Sequence, residues 1–374
     1  MDLNTKRTWA EIRPDHIIHN MRAIRETLPE GTRFLGVVKA DAYGHGAVAV
    51  SRALEAAGAD YLAVSCLDEA LELRRAAVGL PILILGHTPV EYLPTLLACG
   101  LTQTVSNLAK AQEYEAATAR LGGQLRIHIK LDTGMGRLGF LCAGDAFAQG
   151  VENVAAACAC PHLIPEGIYT HFAMSDLPGQ EARDYTQAQF RLFTDMIAAL
   201  AARGIRFRLR HCANSGAVLH YPETALDMVR PGILLYGYGD TEGRLGLRPC
   251  MRLVTRVATI KTYPAGARIS YGGLYTTERR TRMGVVPIGY ADGLFRCLSG
   301  RCAFAVAGGL APQRGRICMD MCMIDLTELP DAAVDSPVEV FGETASLDAL
   351  AQAAGTIPYE LLCSVSKRVP RVYR

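Results

Sequence analysis

The sequence predicts an α/β protein: a (β/α)8 TIM-type barrel followed by a mostly antiparallel β domain. From residue 8 to about residue 239, short apolar runs alternate with helical patterns, and eight of these runs resemble buried strands. Beyond that point helical periodicity fades, and short β-branched runs are separated by Gly and Pro. Eight strands separated by helices fit a closed barrel, whereas a doubly wound open sheet, the main alternative, usually contains fewer strands.

The barrel elements are predicted in a regular order. The clearest helix spans residues 181–202, where Phe190, Phe193, Ile197 and Leu200 recur at the spacing of one buried helix face. Further helices are predicted at residues 46–57, 67–77 and 107–121. The eight predicted strands are residues 33–38, 61–64, 82–85, 102–105, 125–131, 164–169, 206–210 and 226–229.

Two domains are expected, a barrel over residues 1–240 and a β-rich domain over residues 241–374. In the second domain, one helix is predicted at residues 346–354. A strand-like run at residues 7–12 precedes the barrel and is free to pair with this domain. The predicted strands of the second domain are residues 252–260, 283–288, 302–306, 316–325 and 337–341.

Composition narrows the class of protein. Apolar residues make up 50% of the 374 residues and charged residues 20%, which is enough to bury a sizeable core. The formal charge of +2 and the lack of a long basic block argue against nucleic acid as a partner. Twelve cysteines without a CxxC pair favour reduced thiols and no metal site. The polar N-terminus and the short longest apolar run predict a cytoplasmic protein without a leader or a membrane segment.

One lysine stands at a position typical of catalysis. Lys39 ends the apolar run of the first predicted strand, and a turn containing Gly44 and Gly46 leads into the first barrel helix. Barrel enzymes carry their chemistry at the carboxyl ends of their strands. A lysine placed there is commonly an amine nucleophile that forms a Schiff base, although many such lysines simply extend into water.

Four other predicted strands also end in polar residues, and such a set is hard to explain as packing. Taken singly, His171 could be an ordinary core histidine, Ser215 a helix N-cap and Arg230 an ion-pair partner. Together they are expected to meet at one barrel mouth. The residues concerned are Lys130, Asp132 and Arg137 after the fifth strand, His171 after the sixth, Asn214 and Ser215 after the seventh, and Arg230 and Gly232 after the eighth.

The last two strand ends predict a phosphate site. Ser215-Gly216 and Gly232-Ile233 follow strands seven and eight, where barrels of this class commonly bind phosphate through backbone N–H groups. A Schiff-base lysine together with a phosphate site implies pyridoxal 5′-phosphate. Arg230 is the partner available to the pyridine nitrogen, and an arginine cannot give that nitrogen a proton. The cofactor would then be a weaker electron sink, which favours proton removal and return over decarboxylation or transamination.

A racemase needs a second base on the opposite face of its substrate. The β domain offers Tyr271, and a tyrosine whose pKa is lowered by a cation is able to serve as a base. At this point the chain resembles the alanine racemase family of fold-type III pyridoxal-phosphate enzymes. The resemblance rests on the motif Val-Val-Lys-Ala-Asp-Ala-Tyr-Gly-His-Gly at residues 37–46, on Ser270-Tyr271-Gly272, on Cys318-Met319-Asp320, and on residues 368–373.

The resemblance implies a head-to-tail homodimer with shared active sites and a small amino-acid substrate. Lys39 is then the Schiff-base lysine and the base for D-alanine, and Tyr271 of the partner subunit is the base for L-alanine. The resemblance also implies that the product D-alanine is used for the synthesis of peptidoglycan. The residues that the resemblance assigns to cofactor binding, with Asn214 placed beside them, are Tyr43, Asn214, Ser215, Gly232, Ile233 and Tyr359.

The resemblance also assigns supporting roles. Arg230 faces the pyridine nitrogen, and His171 lies beside it and beside Tyr271. Arg137 contacts the cofactor ring oxygen and the substrate carboxylate, and the backbone N–H of Met319 contacts that carboxylate from the partner subunit. Lys130 matches a lysine that some members carry as a carbamate. The residues that match the lining of a narrow access channel are Tyr290, Arg296 and Asp320.

Three alternatives remain open at this point. The first is a racemase of broader specificity or one acting on serine, against which Tyr359 is a modest argument. The second is a decarboxylase on the same fold, which typically offers an acidic partner to the ring nitrogen where this chain offers Arg230. The third is a barrel protein that only binds pyridoxal phosphate, and the β domain with Tyr271 counts against it.

Overall fold

The computed structural model describes Thr5 and residues 7–374. The chain divides into two compact units. One unit contains residues 17–42 and 47–247, and the other contains the described part of residues 1–16 together with residues 43–46 and 248–374. In the helix Pro14–Glu26, residues 14–16 belong to the unit that contains residues 248–374, and residues 17–26 belong to the unit that contains residues 47–247.

The first unit is a nearly closed barrel of eight parallel strands, which confirms the predicted fold class. Neighbouring strands pair in chain order, and the eighth pairs with the first through Met228 opposite Arg33. The seventh and eighth strands meet through two backbone hydrogen bonds, from Asp227 N to Arg210 O and from Arg230 N to Ala213 O. The eight strands are Arg33–Val37, Tyr61–Val64, Ile82–Ile84, Thr102–Val105, Leu125–Asp132, Leu163–Tyr169, Leu209–His211 and Met228–Val229.

Helices follow the barrel strands, and the helix Leu108–Leu121 is capped at both ends. Asn107 accepts a hydrogen bond from Lys110 N at the start of Leu108–Leu121, and Gly122 ends that helix in the left-handed conformation. A short strand, Phe140–Leu141, pairs in parallel with the last two residues of the fifth barrel strand. The barrel-unit helices are Ala47–Ala56, Leu67–Arg75, Leu93–Ala98, Leu108–Leu121, Phe147–Cys158, Gln180–Ala202 and Ser215–His220.

The seventh and eighth strands are shorter than the apolar runs indicated. The carboxylate of Asp227 accepts hydrogen bonds from Arg210 N at 2.7 Å and from Arg210 Nε at 2.7 Å. The Asp227 carboxylate therefore takes the backbone N–H of Arg210, which would otherwise pair with a backbone carbonyl of the eighth strand. A side-chain acceptor replaces part of the ladder there, which apolar periodicity does not reveal.

The second unit is built on one nine-stranded sheet that is antiparallel except for the pairing of Trp9–Ile12 with Arg371–Tyr373. Trp9–Ile12 also pairs with Met251–Arg256. Two helices lie between the strands Pro337–Phe341 and Arg371–Tyr373 in the chain: Leu347–Ala354, which Ser346 caps, and Pro358–Ser364. In sheet order the strands are Thr259–Tyr263, Thr281–Val286, Cys322–Asp325, Gly309–Arg314, Ala303–Val306, Pro337–Phe341, Met251–Arg256, Trp9–Ile12 and Arg371–Tyr373.

Two strand predictions in this unit were wrong in extent. The run at residues 252–260 is two strands, because the chain changes partners at residues 257–258: Val257 N donates to Ser336 O, and Ala258 N donates to Val285 O. The run at residues 316–325 is a strand only from Cys322, because Gly315 has a φ of +71° and the loop after it folds back, with Cys318 N donating to Met321 O. A small hairpin, Arg268–Ile269 with Tyr275–Thr276, carries Tyr271 at its turn.

Across Thr5 and residues 7–374, no helix combines the length and the apolar character that crossing a membrane requires. In the same residues no group of three His, Cys, Asp or Glu side chains is arranged to hold a metal ion.

Candidate active site

Lys39 opens a strained turn. The four residues that follow it, Ala40 to Tyr43, all have φ between 52° and 54°, which is the left-handed region. Left-handed backbone costs an L-residue about 1–2 kcal/mol, and strain of this kind is retained mainly at functional sites. The turn sets the direction of the chain directly after the lysine, at the carboxyl end of the first strand.

Two carboxylates stabilise this turn. Asp41 Oδ1 accepts from Ala47 N at 2.7 Å and so ties the turn to the next helix. Glu69 accepts from Ala40 N through Oε1 and from Ser65 N through Oε2, both at 2.6 Å. Glu69 therefore joins the end of the first strand to the end of the second. Sequence reasoning missed Glu69, because it looks like an ordinary exposed helix residue.

Four cations converge on one histidine at the barrel mouth. Burial lowers the pKa of His171 well below its usual value, and the charges of Arg230, Arg137, Lys130 and Lys39 lower it further. His171 is therefore neutral at physiological pH. Such a concentration of positive charge suits an anionic ligand.

The same charges act on the buried Lys130. Burial first, and then the charges of Arg137, Arg230 and Lys39, lower the pKa of Lys130 to about 8. Its ammonium group lies 5.6 Å from the centroid of the Tyr169 ring. A lysine with this pKa is partly a neutral amine near neutral pH.

Arg230 is the most constrained cation of the mouth. It is only 4% exposed. Its Nη2 donates to Thr170 O at 2.7 Å and to Cys212 O at 3.2 Å, and its Nη1 lies 2.9 Å from His211 Nδ1. Within the described chain, Arg230 Nε makes no hydrogen bond. The nitrogen Nε is thus available to a ligand while the two Nη atoms hold the guanidinium in place.

Arg137 lies on a loop that one carboxylate shapes. Asp132 Oδ1 accepts from Gly134 N at 3.0 Å and from Gly136 N at 3.1 Å. Arg137 itself is exposed. The loop fixes its backbone and leaves its side chain able to reach an anion in the mouth.

The loops after strands seven and eight are joined by Ser215. Its Oγ accepts from Gly232 N at 2.9 Å and lies 3.5 Å from Leu234 N. Asn214, not Ser215, caps the helix Ser215–His220, since Asn214 Oδ1 accepts from Ala217 N at 3.0 Å. Gly216 is required by close approach, because a Cβ there would lie 2.7 Å from the backbone of residues 175 and 176. The two predicted phosphate loops are therefore one connected structure.

In the second unit, Tyr43 and Tyr359 lie together. Their ring centroids are 5.9 Å apart. Burial raises the pKa of Tyr43, so its phenol remains a neutral hydroxyl. A neutral phenol is a hydrogen-bond donor suited to an anionic acceptor.

Tyr271 and Met319 line one cavity of about 680 Å³ in the second unit. Tyr271 is 71% exposed and Met319 53% exposed. Ser270, which precedes the tyrosine, has a φ of +66° and donates from Oγ to Arg316 O at 2.8 Å. This hydrogen bond fixes the turn that presents Tyr271 to solvent.

The three predicted channel residues occupy neighbouring turns of the second unit. Asp320 lies in the lining of the cavity with Tyr271 and accepts from Arg368 Nη2 at 2.8 Å. Tyr290 N donates to Cys318 O, which joins its turn to the loop of Met319. Arg296 begins the short turn Arg296–Leu298 and is not in the cavity lining.

Two family models match the chain. One, described as "Alanine racemase, N-terminal domain", matches residues 12–240, and the other, "Alanine racemase, C-terminal domain", matches residues 250–373. The chain belongs to the alanine racemase family. The resemblance inferred from the Lys39 motif is confirmed, and membership in this family makes the chain an amino-acid racemase.

Individual alanine racemases agree with this assignment. The alanine racemase of Desulfovibrio desulfuricans is 45% identical over 373 residues, which cover 98% of this chain and 97% of that protein. A structure of the Clostridium difficile 630 alanine racemase has a TM-score of 0.93 at 38% identity, covering 98% of this chain and 96% of that one. The same Clostridium difficile protein in complex with cycloserine has a TM-score of 0.90 at 37% identity, covering 99% and 96%. Alanine racemases depend on pyridoxal phosphate.

Proposed function

We propose that this chain interconverts L-alanine and D-alanine with pyridoxal 5′-phosphate in the barrel mouth. The observation that carries the proposal is the cluster of cations around His171: Arg230 Nη2 lies 3.5 Å from His171 Nδ1, and, in addition to burial, the charges of Arg230, Arg137, Lys130 and Lys39 all lower the pKa of His171. Both the phosphorylated cofactor and an amino-acid carboxylate are anions, and this mouth attracts anions. A neutral His171 adds no further charge, and its ring nitrogens remain able to form hydrogen bonds.

The residues present fit the cofactor. Arg230 Nε is directed to the ring nitrogen, since both Nη atoms are already engaged. The joined loops at Ser215 and Gly232, with Asn214 as their cap, hold the phosphate together with Ile233, and Tyr43 and Tyr359 contribute phenol groups to the same set. When bound, pyridoxal phosphate acidifies the α-hydrogen of the amino acid attached to it. Every remaining step belongs to side chains of the protein.

Proton transfer requires one base on each face of the substrate. Lys39 Nζ removes or returns the α-proton on the face of D-alanine, and Tyr271 of the partner subunit does so on the face of L-alanine. Arg137 and the backbone N–H of Met319 from the partner subunit hold the substrate carboxylate and so orient the α-carbon between the two bases. The exposure of Tyr271 in the single chain supports a shared site, because a base must be enclosed to control proton transfer.

In this proposal Lys130 carries a carbamate group, and the negative charge of that group holds Arg137. An amine whose pKa is about 8 is partly uncharged near neutral pH and able to react with carbon dioxide. The neutral amine and carbon dioxide form an N–C bond and release one proton, which leaves a carbamate anion. Relative to the ammonium form, two protons are lost and a cation is replaced by an anion. That anion would hold the Arg137 guanidinium in place for the substrate.

We further propose that the enzyme is a cytoplasmic homodimer that supplies D-alanine for peptidoglycan. Tyr290, Arg296 and Asp320 line the access channel in this proposal and favour small amino acids. Cycloserine, with which the Clostridium difficile protein forms a complex, is expected to bind this chain as well.

The proposal is tested by α-proton exchange. Purified protein with added pyridoxal phosphate is incubated in heavy water with L-alanine and, separately, with L-serine. Deuterium incorporation and chirality are followed by NMR and chiral chromatography. Deuterated D-alanine, with slower exchange of serine, supports the proposal. Cofactor binding without exchange of either amino acid would reject it in favour of a protein that only binds pyridoxal phosphate.

A further inference from the structure

A row of polar side chains crosses the interior of the barrel, with hydrogen bonds at every step except a 3.7 Å contact between His128 and Glu166. Arg230 Nη1 lies 2.9 Å from His211 Nδ1, and His211 Nε2 lies 2.9 Å from His128 Nδ1. The other nitrogen of His128 lies 3.7 Å from Glu166 Oε2, to which the Tyr61 hydroxyl donates at 2.6 Å. Tyr61 begins the second strand at the amino end of the barrel, whereas Arg230 follows the eighth strand at the carboxyl end. Barrel interiors are usually filled with branched apolar side chains.

The chemistry of the donors allows only one arrangement of protons along this chain. A guanidinium only donates, so His211 Nδ1 must accept from Arg230. Burial lowers the pKa of both histidines, so each is neutral and carries one ring proton. That proton lies on His211 Nε2 and points to His128 Nδ1. The single proton of His128 therefore lies on Nε2 and points to Glu166.

The chain connects a buried cation to a distant carboxylate. The hydrogen-bond partners of Arg230 are carbonyls and histidines, none of them anionic. The nearby Nε2 of His128, 3.7 Å from Glu166 Oε2, and the hydrogen bond from Tyr61 lower the pKa of Glu166 to about 2. The charge of Arg208 lowers it further, so Glu166 stays ionised. A buried cation is costly without a compensating charge, and hydrogen bonds in series polarise one another. Glu166 thus supplies the anionic end of an aligned chain.

The backbone is shaped to make this contact. The pairing of the fifth and sixth strands shifts between Ile127 and His128, and Glu166 is the additional residue between Pro165 and Gly167. A bulge of this kind re-aims a side chain and is common beside active sites. Gly167 leaves room for the imidazole, because a Cβ there would lie 2.6 Å from a ring atom of His128.

We propose that Glu166 is a positioning residue for the racemase site, acting through His128 and His211 to fix the orientation of the Arg230 guanidinium. The inference rests on the proposed contact of Arg230 with the cofactor ring. It assigns a role to a carboxylate at the end of the barrel remote from the mouth.

The first test observes the ring protons directly in the cofactor-free protein. Protein labelled with ¹⁵N in its histidines is examined by long-range ¹⁵N–¹H NMR at neutral pH. The signals of His128 and His211 are assigned with His128→Gln and His211→Gln. Both rings are expected to be neutral with the proton on Nε2. A proton on Nδ1 of either ring, or an imidazolium, would overturn the proposal.

The second test separates positioning from general stability in the holoenzyme. Glu166→Gln retains the shape of the side chain and removes its charge, so kcat for alanine is expected to fall about tenfold or more with KM little changed, because Arg230 does not hold the substrate carboxylate. The matched control is Glu115→Gln, which alters a glutamate paired with His162 Nδ1 at 2.6 Å that is not part of the chain to Arg230. An unchanged kcat in Glu166→Gln, or an equal loss in both variants, would overturn the proposal.

These measurements distinguish the inference from the proposed function. Wild-type protein that binds cofactor but does not exchange alanine would reject the function, and the NMR spectra would still decide the proton arrangement. Active wild-type protein with unaffected Glu166→Gln would reject only the positioning role.

Discussion

Arg230 limits the chemistry of the barrel mouth at the scale of single residues. Its guanidinium is buried, and three acceptors together with the ring of Tyr169 hold it in place. An arginine remains charged and donates without releasing its proton, so in the proposed site the ring nitrogen of the cofactor would stay unprotonated. That state restricts electron withdrawal, which suits a racemase better than a decarboxylase.

Lys39 is expected to be essential for covalent attachment of the cofactor. Lys39→Ala removes the only amine at the end of the first strand, so the visible absorbance band of the lysine-bound cofactor should disappear. Lys261→Ala, at an exposed position of the β unit, is the matched control and should leave the band intact. Absorbance spectra of both variants after addition of pyridoxal phosphate measure this. A persistent band in Lys39→Ala would contradict the assignment.

Tyr271 is expected to serve one face of the substrate. Tyr271→Phe should retain the cofactor and lose about 10²–10⁴-fold in turnover from L-alanine, the usual contribution of an acid–base group. Tyr275→Phe, in the same hairpin, is the control and should be nearly silent. Initial rates from each enantiomer provide the measurement, and a Tyr271→Phe enzyme with wild-type turnover would remove the second base.

The pKa of Glu166 predicts a pH-dependent contribution to stability. Its folded value of about 2 lies below the unfolded value near 4.5, so folding is favoured by ionisation of this group. The contribution is present above about pH 4.5 and is lost as the pH falls towards 2, with an upper bound of about 3 kcal/mol. The difference in urea unfolding midpoint between wild type and Glu166→Gln should therefore be large at pH 7 and shrink at pH 3. A difference that does not change with pH would contradict the pKa.

At the scale of elements, the sequence predicts the barrel well and its strained turn not at all. Apolar periodicity located all eight strands, because buried parallel strands are continuous apolar runs. Nothing in the side chains of Ala40, Asp41 and Ala42 signals four left-handed residues, since tertiary contacts such as that of Glu69 impose the conformation. The sequence likewise does not reveal the bulge at Glu166, because tertiary contacts and not local residue preferences determine it.

Relief of strain in this turn is measurable. Ala40 is exposed and left-handed, so Ala40→Gly removes backbone strain without losing buried surface and should raise the free energy of unfolding by about 0.5–1 kcal/mol. Ala116→Gly, at an exposed position in the helix Leu108–Leu121, should lower it by about 1 kcal/mol. Chemical denaturation of both variants compares the two positions. Destabilisation by Ala40→Gly would contradict the left-handed geometry.

At the scale of the whole molecule, the residues predicted for the site belong to two compact units. Lys39, Arg137 and Arg230 belong to the barrel, whereas Tyr43, Tyr271, Met319 and Tyr359 belong to the β unit. Sequence motifs predict which residues take part but not which subunit provides them, because one chain and its copy have the same sequence. The boundary near residue 240 likewise stays a prediction.

The central claim is that each active site joins the barrel of one subunit to Tyr271 of the partner subunit. Co-expression of Lys39→Ala with Tyr271→Phe, each nearly inactive alone, tests it most directly. If sites are shared, half of randomly formed dimers are mixed and each has one intact site, so alanine racemisation should recover to about a quarter of wild type. If both bases belonged to the same chain, no intact site would form, and the mixture would remain as inactive as its components.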